Sequence, residues 1–135
     1  MTRFSITLDE SVEIAIKALE FSIGGEIFIP KLKSYKILDL VKAISKNGKT
    51  YEIGIRPGEK IHEEMITASD SPFTVDLGDY YAIVSASGEI GAQEYANLKN
   101  GKLVEEGFVY ESGSNQHFLS IKELENLVTS YVNEK

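Results

Sequence analysis

The sequence predicts an α/β protein, because helix-like and strand-like patterns alternate along its first half. Over residues 8–67 the order is helix, strand, helix, strand, turn and helix. That alternation favours short parallel strands, since parallel neighbours are joined by crossover connections of about this length. The second half carries a predicted β-hairpin over residues 73–84, an irregular segment at about 85–107 and a C-terminal helix. We expect one domain over residues 1–135.

The first helix is predicted at residues 8–21. Thr7 and Glu10 have the spacing of a capping box, in which each side chain satisfies a backbone group at the helix start. Apolar residues then recur at helical spacing, until the glycine pair at residues 24–25 ends the pattern. A compact strand at residues 26–29 follows and is closed by a proline.

The remaining elements follow from the same kinds of pattern. In chain order we expect an extended start at residues 1–6, a basic connector at 31–36, a second helix from about residue 38 to the Asn47-Gly48 pair, a strand at 51–55 and a helix at 60–67. After a loop at 68–72 we expect strands at 73–77 and 80–84 around the Gly78-Asp79 turn, a short strand at 108–110 and a last helix opened by a second capping box, Ser120 and Glu123.

Composition excludes several classes of function. A net charge of −7 argues against a nucleic-acid partner and against an anionic membrane surface. The absence of cysteine removes disulfides, thiolate zinc sites and cysteine nucleophiles. No apolar run approaches the ~20 residues that span a bilayer, and the N-terminus lacks the pattern of a signal peptide. We therefore expect a cytoplasmic protein.

The stretch Gly54–Lys60 is the predicted ligand site. It would place Arg56 and Glu59 on a turn between the carboxyl end of a strand and a helix, where ligands bind in α/β folds. A guanidinium suits a phosphate through paired donors, and a carboxylate suits sugar hydroxyls. Of the 14 basic residues only Arg3 and Arg56 are arginines, which suits planar anion recognition. The alternative is that both arginines form ordinary surface ion pairs.

The residues that would carry catalysis or bind a metal are missing from the sequence. His62 and His117 are isolated, and His62-Glu63-Glu64 lacks the spacing of two metal ligands on one helical face, so we expect no metal site. No glycine-rich turn of the dinucleotide-binding type follows a strand. The sequence therefore predicts a binding turn without a catalytic set.

Several stretches carry a resemblance to a known family, and it runs over nearly the whole chain. They are Met1–Phe4 with Ile6–Glu10, Gly24–Lys31, Asp39-Leu40 with Ala43-Ile44, Gly54–Lys60 with His62-Glu63 and Met65-Ile66, and a looser tail over Tyr110–Asn115, Phe118-Leu119 and the last helix. The most specific is Gly54–Lys60. Together they resemble the C-terminal, substrate-binding part of extended short-chain dehydrogenase/reductases, and in particular the inverting UDP-N-acetylglucosamine 4,6-dehydratases. Those enzymes make capsule, O-antigen and flagellin-glycan precursors in bacterial polysaccharide biosynthesis.

The resemblance implies roles for three residues. In relatives, the arginine of an Arg-x-Gly-Asp/Glu turn contacts the nucleotide diphosphate and the acidic residue contacts the uridine ribose, which assigns these roles to Arg56 and Glu59. The arginine of the Thr-Arg-Phe stretch resembles a second diphosphate contact and corresponds to Arg3. The implied ligand is a UDP-sugar of the UDP-N-acetylglucosamine type.

The resemblance also implies that the reaction depends on residues outside this sequence. Family members bind NADP through an upstream glycine-rich turn and use an upstream Tyr-x-x-x-Lys pair on a helix. No glycine-rich turn of that type occurs here, and Tyr95 and Lys99, which have the spacing of the pair, lie in the segment expected to be irregular. We therefore expect no cofactor and no catalytic residue in this chain, which would be part of a longer 4,6-dehydratase or epimerase and inactive alone. The alternatives are a non-enzymatic binding or assembly module and a truncated remnant of such an enzyme.

The missing cofactor half has a consequence for association. In the family it would cover apolar surface on the first helix and on the strand at 26–29. Exposed apolar patches of this kind are commonly covered by self-association. We therefore expect a homo-oligomer.

Overall fold

A computed structural model describes residues 1–133 and has a mixed α/β fold, as predicted. The strands are β1 (Thr2–Ser5), β2 (Ile27–Pro30), β3 (Lys33–Lys36), β4 (Glu64–Ile66), β5 (Thr74–Asp76), β6 (Tyr80–Ile83), β7 (Lys102–Leu103) and β8 (Tyr110–Glu111). The helices are α1 (Leu8–Phe21), α2 (Ile37–Ile44), α3 (Ala92–Lys99) and α4 (Ile121–Asn133), with a 3₁₀ turn at Ser71–Phe73. None of these helices is long and apolar enough to cross a membrane.

The chain divides into two compact units. The expectation of one domain over residues 1–135 stays a prediction. The first unit contains Met1–Ser5, Leu32–Glu63 and the chain from Glu111 onward. The second contains Ile6–Lys31 and Glu64–Tyr110. Each unit is therefore assembled from segments that are distant in the sequence.

The second unit is built on a four-stranded sheet in the order β2-β6-β5-β7. Val75 lies opposite Ala82 in the β5–β6 pair, and both side chains are fully buried. They form the core together with Val84 of the same unit and with Tyr95 and Ala96 of α3. Burial of these apolar side chains is the main stabilising contribution in this unit.

The first unit has fewer residues in helices and strands than the second. Strand β1 pairs with β3, which sets Arg3 opposite Tyr35. Helix α2 packs against α4. Residues 45–63, which follow α2, contain no helix or strand. This long irregular segment includes the predicted ligand turn.

Several local predictions are confirmed. Both capping boxes form. At the start of α1 the side chains of Thr7 and Glu10 each accept a hydrogen bond from the backbone N–H of the other residue, and Ser120 and Glu123 do the same at the start of α4. The predicted hairpin is β5 and β6 in antiparallel register. These features depend on residues a few positions apart, which is why the sequence pattern suffices to predict them.

Other predictions are wrong. The pairings β1–β3, β2–β6, β5–β6 and β5–β7 are antiparallel rather than parallel. Residues 51–55 are not a strand and 60–67 are not a helix; residues 51–61 are exposed, and β4 occupies 64–66. The connector at 31–36 contains β3, because β1 supplies it with a partner. The segment expected to be irregular, 85–107, contains α3 and β7.

The predicted exposed apolar surface is present on α1. This helix has no buried residue, and Leu8 and Leu19 are 80% and 84% exposed. On β2, Ile27 is exposed as well. Such a concentration of exposed large side chains exceeds the scattered apolar residues of an ordinary surface.

Candidate functional site

The predicted backbone turn at residues 56–59 forms, although its flanking strand and helix do not. The backbone N–H of Glu59 donates to the carbonyl of Arg56 at 3.0 Å, which closes a turn over Pro57 and Gly58. Gly58 has a φ of 81°, a left-handed conformation that glycine adopts without strain. The Glu59 carboxylate also accepts from the Arg56 N–H at 3.1 Å. The turn is therefore closed by bonds within itself.

Arg56 and Glu59 line one cavity of about 790 Å³ within the first unit. Its walls are largely apolar and include Ile37 and Leu38 of α2 and Tyr51 and Ile53 of the irregular segment. Among residues 1–133, no carboxylate or carbonyl pairs with the Arg56 guanidinium. This site therefore combines an unpaired planar cation with apolar surface, the arrangement expected for a ligand with an anionic and an aromatic part.

Arg3 has a different environment and is not one of the residues that line this cavity. Its guanidinium donates to the carbonyls of Thr2 at 2.6 Å, Lys60 at 3.1 Å and Ile61 at 3.3 Å. Its Nε lies 3.5 Å from the Glu63 carboxylate. The ion-pair alternative considered for both arginines is thus observed for Arg3 and not for Arg56.

The sequence did not reveal a polar cluster that joins three segments of the first unit. The hydroxyl of Thr2 lies 2.8 Å from His62 Nδ1 and 2.7 Å from the Ser112 hydroxyl. The Ser112 hydroxyl accepts from the Glu63 N–H at 2.8 Å. A Cβ added to Gly113 would lie 2.5 Å from the His62 ring, so glycine is required there for close packing. His62 was expected on a helix and lies instead in irregular backbone.

Metal chemistry finds no support at this site. The described residues contain no group of three or more acidic, histidine or cysteine side chains that could hold a metal ion. The cluster around His62 supplies hydroxyl groups, which form hydrogen bonds and bind metals poorly. Its arrangement is therefore that of a structural hydrogen-bond network.

The second unit has a cavity of its own, of about 360 Å³, lined in part by Glu26, Ser85 and Tyr95. The Tyr95 hydroxyl is buried, and no described residue satisfies it with a hydrogen bond of good geometry. Burial, and secondarily the negative charge of Glu26, raises the pKa of Tyr95 to about 12. Tyr95 therefore stays protonated over the physiological range.

Comparison with known proteins gives the family. The model of a family described as polysaccharide biosynthesis protein matches residues 1–85, which is more than half of the chain. The chain belongs to this family. The match includes β1 with Arg3 and the irregular segment with Arg56 and Glu59.

Curated relatives in and near this family are considerably longer. The chain is 42% identical over 133 residues to the inverting UDP-N-acetylglucosamine 4,6-dehydratase of Campylobacter jejuni, covering 95% of this chain and 40% of that enzyme. It is 37% identical over 100 residues to a UDP-glucose 4-epimerase of Rickettsia canadensis, covering 70% of this chain and 29% of that protein. The chain thus spans about 40% of the length of the Campylobacter relatives that it matches.

A solved structure supports the same relationship. The X-ray structure of Pen from Bacillus thuringiensis superposes with a TM-score of 0.76 and 32% sequence identity. The match covers 98% of this chain and 39% of Pen. The fold of this chain therefore recurs within a longer protein.

Proposed function

We propose that this chain is the UDP-sugar-binding portion of a nucleotide-sugar 4,6-dehydratase or epimerase of bacterial polysaccharide biosynthesis. The observation that carries the proposal is the unpaired Arg56 guanidinium beside Glu59 in an apolar-walled cavity. The activities of the Campylobacter and Rickettsia relatives agree with it, since both of those enzymes act on UDP-sugars. The sugar products would serve capsule, O-antigen or flagellin-glycan synthesis in the cytoplasm.

The proposed binding mode uses the two turn residues differently. Arg56 presents paired N–H donors to the diphosphate, and this interaction is charge-assisted. The Glu59 Oε2 atom is engaged by the Arg56 N–H, so Oε1 is the oxygen that accepts from a ribose hydroxyl. The apolar walls, with Tyr51 among them, offer surface against which the base can pack. The turn thus holds the nucleotide end of the ligand.

The described residues do not fit the NADP that the full-length family uses. A dinucleotide site needs a glycine-rich turn that leads from a strand into a helix N-terminus. The Gly24-Gly25 pair instead follows the end of α1 and precedes β2, which is the opposite order. We assign no reaction step to this chain and propose that it binds the nucleotide-sugar without converting it alone.

Titration calorimetry with UDP and UDP-N-acetylglucosamine tests the proposal. Arg56→Ala is expected to weaken the binding of both ligands by about tenfold or more, because it removes a charge-assisted bidentate contact. Lys49→Ala is the matched control: it removes one exposed positive charge from the same unit at a residue that does not line the cavity. Equal affinities of Arg56→Ala and the wild-type chain would contradict the site assignment.

The exposed face of α1 favours a second candidate, a non-enzymatic binding or assembly module that forms homo-oligomers. No residue of this helix is buried, and apolar surface of that extent is usually covered by a partner. Sedimentation of the isolated chain at tens of micromolar is expected to show a dimer or larger species. A monomer that binds UDP would contradict the assembly-module candidate and would remain consistent with the proposal of UDP-sugar binding.

A further inference from the structure

The cavity of about 360 Å³ in the second unit lies between two loops and helix α3. One loop joins α1 to β2, the other joins β6 to α3, and Tyr95 of α3 completes the lining. The loops approach each other closely, because a Cβ added to Gly25 would lie 3.6 Å from the Ser85 Cβ. The volume is at the lower end of the ~300–1,000 Å³ typical of small-molecule pockets, so the cavity can hold a small ligand.

The hydroxyl of Tyr95 is the unsatisfied polar group of this cavity. Only 1% of the residue is exposed, and no residue among 1–133 gives the hydroxyl a hydrogen bond of good geometry. Buried hydroxyl groups in proteins are nearly always hydrogen-bonded, and one without a partner carries a desolvation cost. Because burial and the charge of Glu26 raise the pKa of Tyr95 to about 12, the hydroxyl keeps its proton. It is therefore a donor without an acceptor in the described part of the chain.

The Glu26 carboxylate, whose charge acts on the Tyr95 hydroxyl, has one acceptor position left. Its Oε2 accepts from the Ser22 hydroxyl at 2.7 Å and from the Gly24 N–H at 2.8 Å, whereas Oε1 accepts from the Ile23 N–H at 2.8 Å. Partial burial raises its pKa and these hydrogen bonds lower it, to about 2, so the carboxylate is ionised. Because an ionised carboxylate has about four acceptor positions, Oε1 can accept one more hydrogen bond while the loop stays closed.

The charge of the lining disfavours an anionic ligand. Its ionisable residues are Glu26, Glu89 and Tyr95, and no lysine, arginine or histidine is among the described residues that line the cavity. The Nζ of Lys99 lies 6.0 Å from the centroid of the Tyr95 ring, but it donates to the Phe21 carbonyl at 2.7 Å. A phosphate or a carboxylate would therefore be repelled by the two glutamates without a cation to bind it.

A hydroxylated ligand matches the cavity better than an ammonium ligand does. An ammonium has donors only, so it would leave the Tyr95 proton without an acceptor. In a sugar, one oxygen can accept from Tyr95 while a neighbouring hydroxyl donates to Glu26. The side chains of Ile23, Val84 and Ile90 also line the cavity and offer apolar surface to the C–H faces of a sugar ring.

We propose that this cavity is a second ligand site, which binds one neutral, unphosphorylated hexose or N-acetylhexosamine unit. Glu26 Oε1 accepts a hydrogen bond from one sugar hydroxyl, and the Tyr95 hydroxyl donates to another sugar oxygen. The site shares no lining residue with the cavity that contains Arg56, so the inference goes beyond the proposed function and does not depend on it.

NMR titration of the full chain with free D-glucose and free N-acetyl-D-glucosamine tests the site. At least one of the two sugars should cause saturable shifts of the amides of residues 23–24 and 85–88, which lie in the two loops. Tyr95→Phe should weaken this binding by about fivefold or more, because it deletes the donor. Tyr81→Phe is the matched control, since Tyr81 belongs to the same unit and does not line the cavity.

Inorganic phosphate and ethanolamine are the probes for the two disfavoured ligand classes, and neither should shift these amides. A cavity filled by water alone would give no saturable shift with either sugar, and that result would overturn the proposal. Equal sugar affinities of Tyr95→Phe and the wild-type chain, or saturable binding of phosphate or ethanolamine at these amides, would overturn it as well.

Urea unfolding of the ligand-free chain tests whether the Tyr95 hydroxyl instead has a structural role. Tyr95→Phe should unfold at the same urea concentration as the wild-type chain or at a higher one, since it deletes a buried hydroxyl that forms no hydrogen bond of good geometry with residues 1–133. A lower unfolding midpoint in Tyr95→Phe would show that the hydroxyl is bonded within the chain, and it would overturn the assignment of Tyr95 as the donor to a ligand.

Discussion

The irregular segment of the first unit and the sheet of the second unit are held by different forces. Residues 51–61 are exposed, and hydrogen bonds from Arg3 hold their far end. The sheet β2-β6-β5-β7 instead buries Val75, Ala82 and Tyr95 almost completely. Apolar burial therefore stabilises the sheet, whereas the candidate site lies on a loop whose order depends on a few polar contacts.

This contrast predicts that the two regions tolerate substitution unequally. Removal of a buried methyl group loses transfer free energy and leaves a cavity, whereas an exposed apolar side chain loses little when it is shortened. Polar anchors behave differently again, because their loss opens the loop locally without unfolding the packed sheet. The predictions below compare the two regions, beginning with the largest expected effect.

Ile66→Ala should lower the free energy of unfolding by about 3 kcal/mol, because Ile66 in the second unit is fully buried. The matched change Ile53→Ala in the irregular segment should alter it by less than about 0.5 kcal/mol, since Ile53 is 70% exposed. Urea unfolding followed by circular dichroism measures both. Similar losses of stability in the two variants would show that the irregular segment is packed and would contradict the contrast between the two regions.

Gly113→Ala should cost about 2 kcal/mol, because the new methyl group would meet the His62 ring and displace it from Thr2. Gly91→Ala is the control: nothing lies within 4 Å of its added Cβ, and its φ is negative. Thermal unfolding compares the two. If Gly113→Ala is as stable as Gly91→Ala, the polar cluster in the first unit does not depend on close packing at residue 113.

Acidification should weaken the second unit through Glu26. Partial burial opposes ionisation, but hydrogen bonds from Ser22, Ile23 and Gly24 prevail and lower the pKa of Glu26 to about 2. Because the folded-state pKa is depressed from 4.5, the stabilisation is present above pH 4.5 and is lost as the pH falls toward 2. Solvent screening limits the effect to about 1 kcal/mol.

Glu26→Gln provides the measurement for this pH dependence. In urea unfolding, the wild-type chain should lose more stability than the variant between pH 4.5 and pH 2. Above about pH 5.5 the free energies of unfolding of the two proteins should differ by a constant amount. Glu20→Gln is a control on the exposed surface of α1. Identical pH profiles for the wild-type chain and Glu26→Gln would show that the loop after α1 does not depend on this carboxylate.

The elements that the sequence predicted correctly depend on short-range interactions. The Thr7 and Glu10 capping box, the hairpin around Gly78 and the turn at Pro57-Gly58 each need only neighbours within a few residues. The prediction of a strand at 51–55 was wrong for a complementary reason: its apolar residues resemble a strand, but within residues 1–133 no partner strand pairs with it. Strand β3 was missed because its partner β1 lies about thirty residues earlier.

In the candidate site, too, only the features that depend on neighbouring residues could be predicted from the sequence. Arg56 and Glu59 were predicted from residue type on a turn and from family resemblance, and they line one cavity. The partners of Arg3 could not be predicted, because Lys60, Ile61 and Glu63 lie nearly sixty positions away in the sequence. Ser112 and Gly113 gave no sequence signal that they would contact His62 and Thr2.

The sequence alone determined the α/β class, the helix caps, the hairpin, the turn at residues 56–59 and the family resemblance, since each follows from local pattern or from a short motif. The tertiary structure decided which strands pair, that they pair antiparallel, and that the two arginines differ in environment. The physical reason is that pairing and charge neutralisation depend on groups brought together by folding. Identical guanidinium groups therefore differ in their surroundings: Arg3 is paired with backbone carbonyls and with Glu63, whereas no residue among 1–133 pairs with the Arg56 guanidinium.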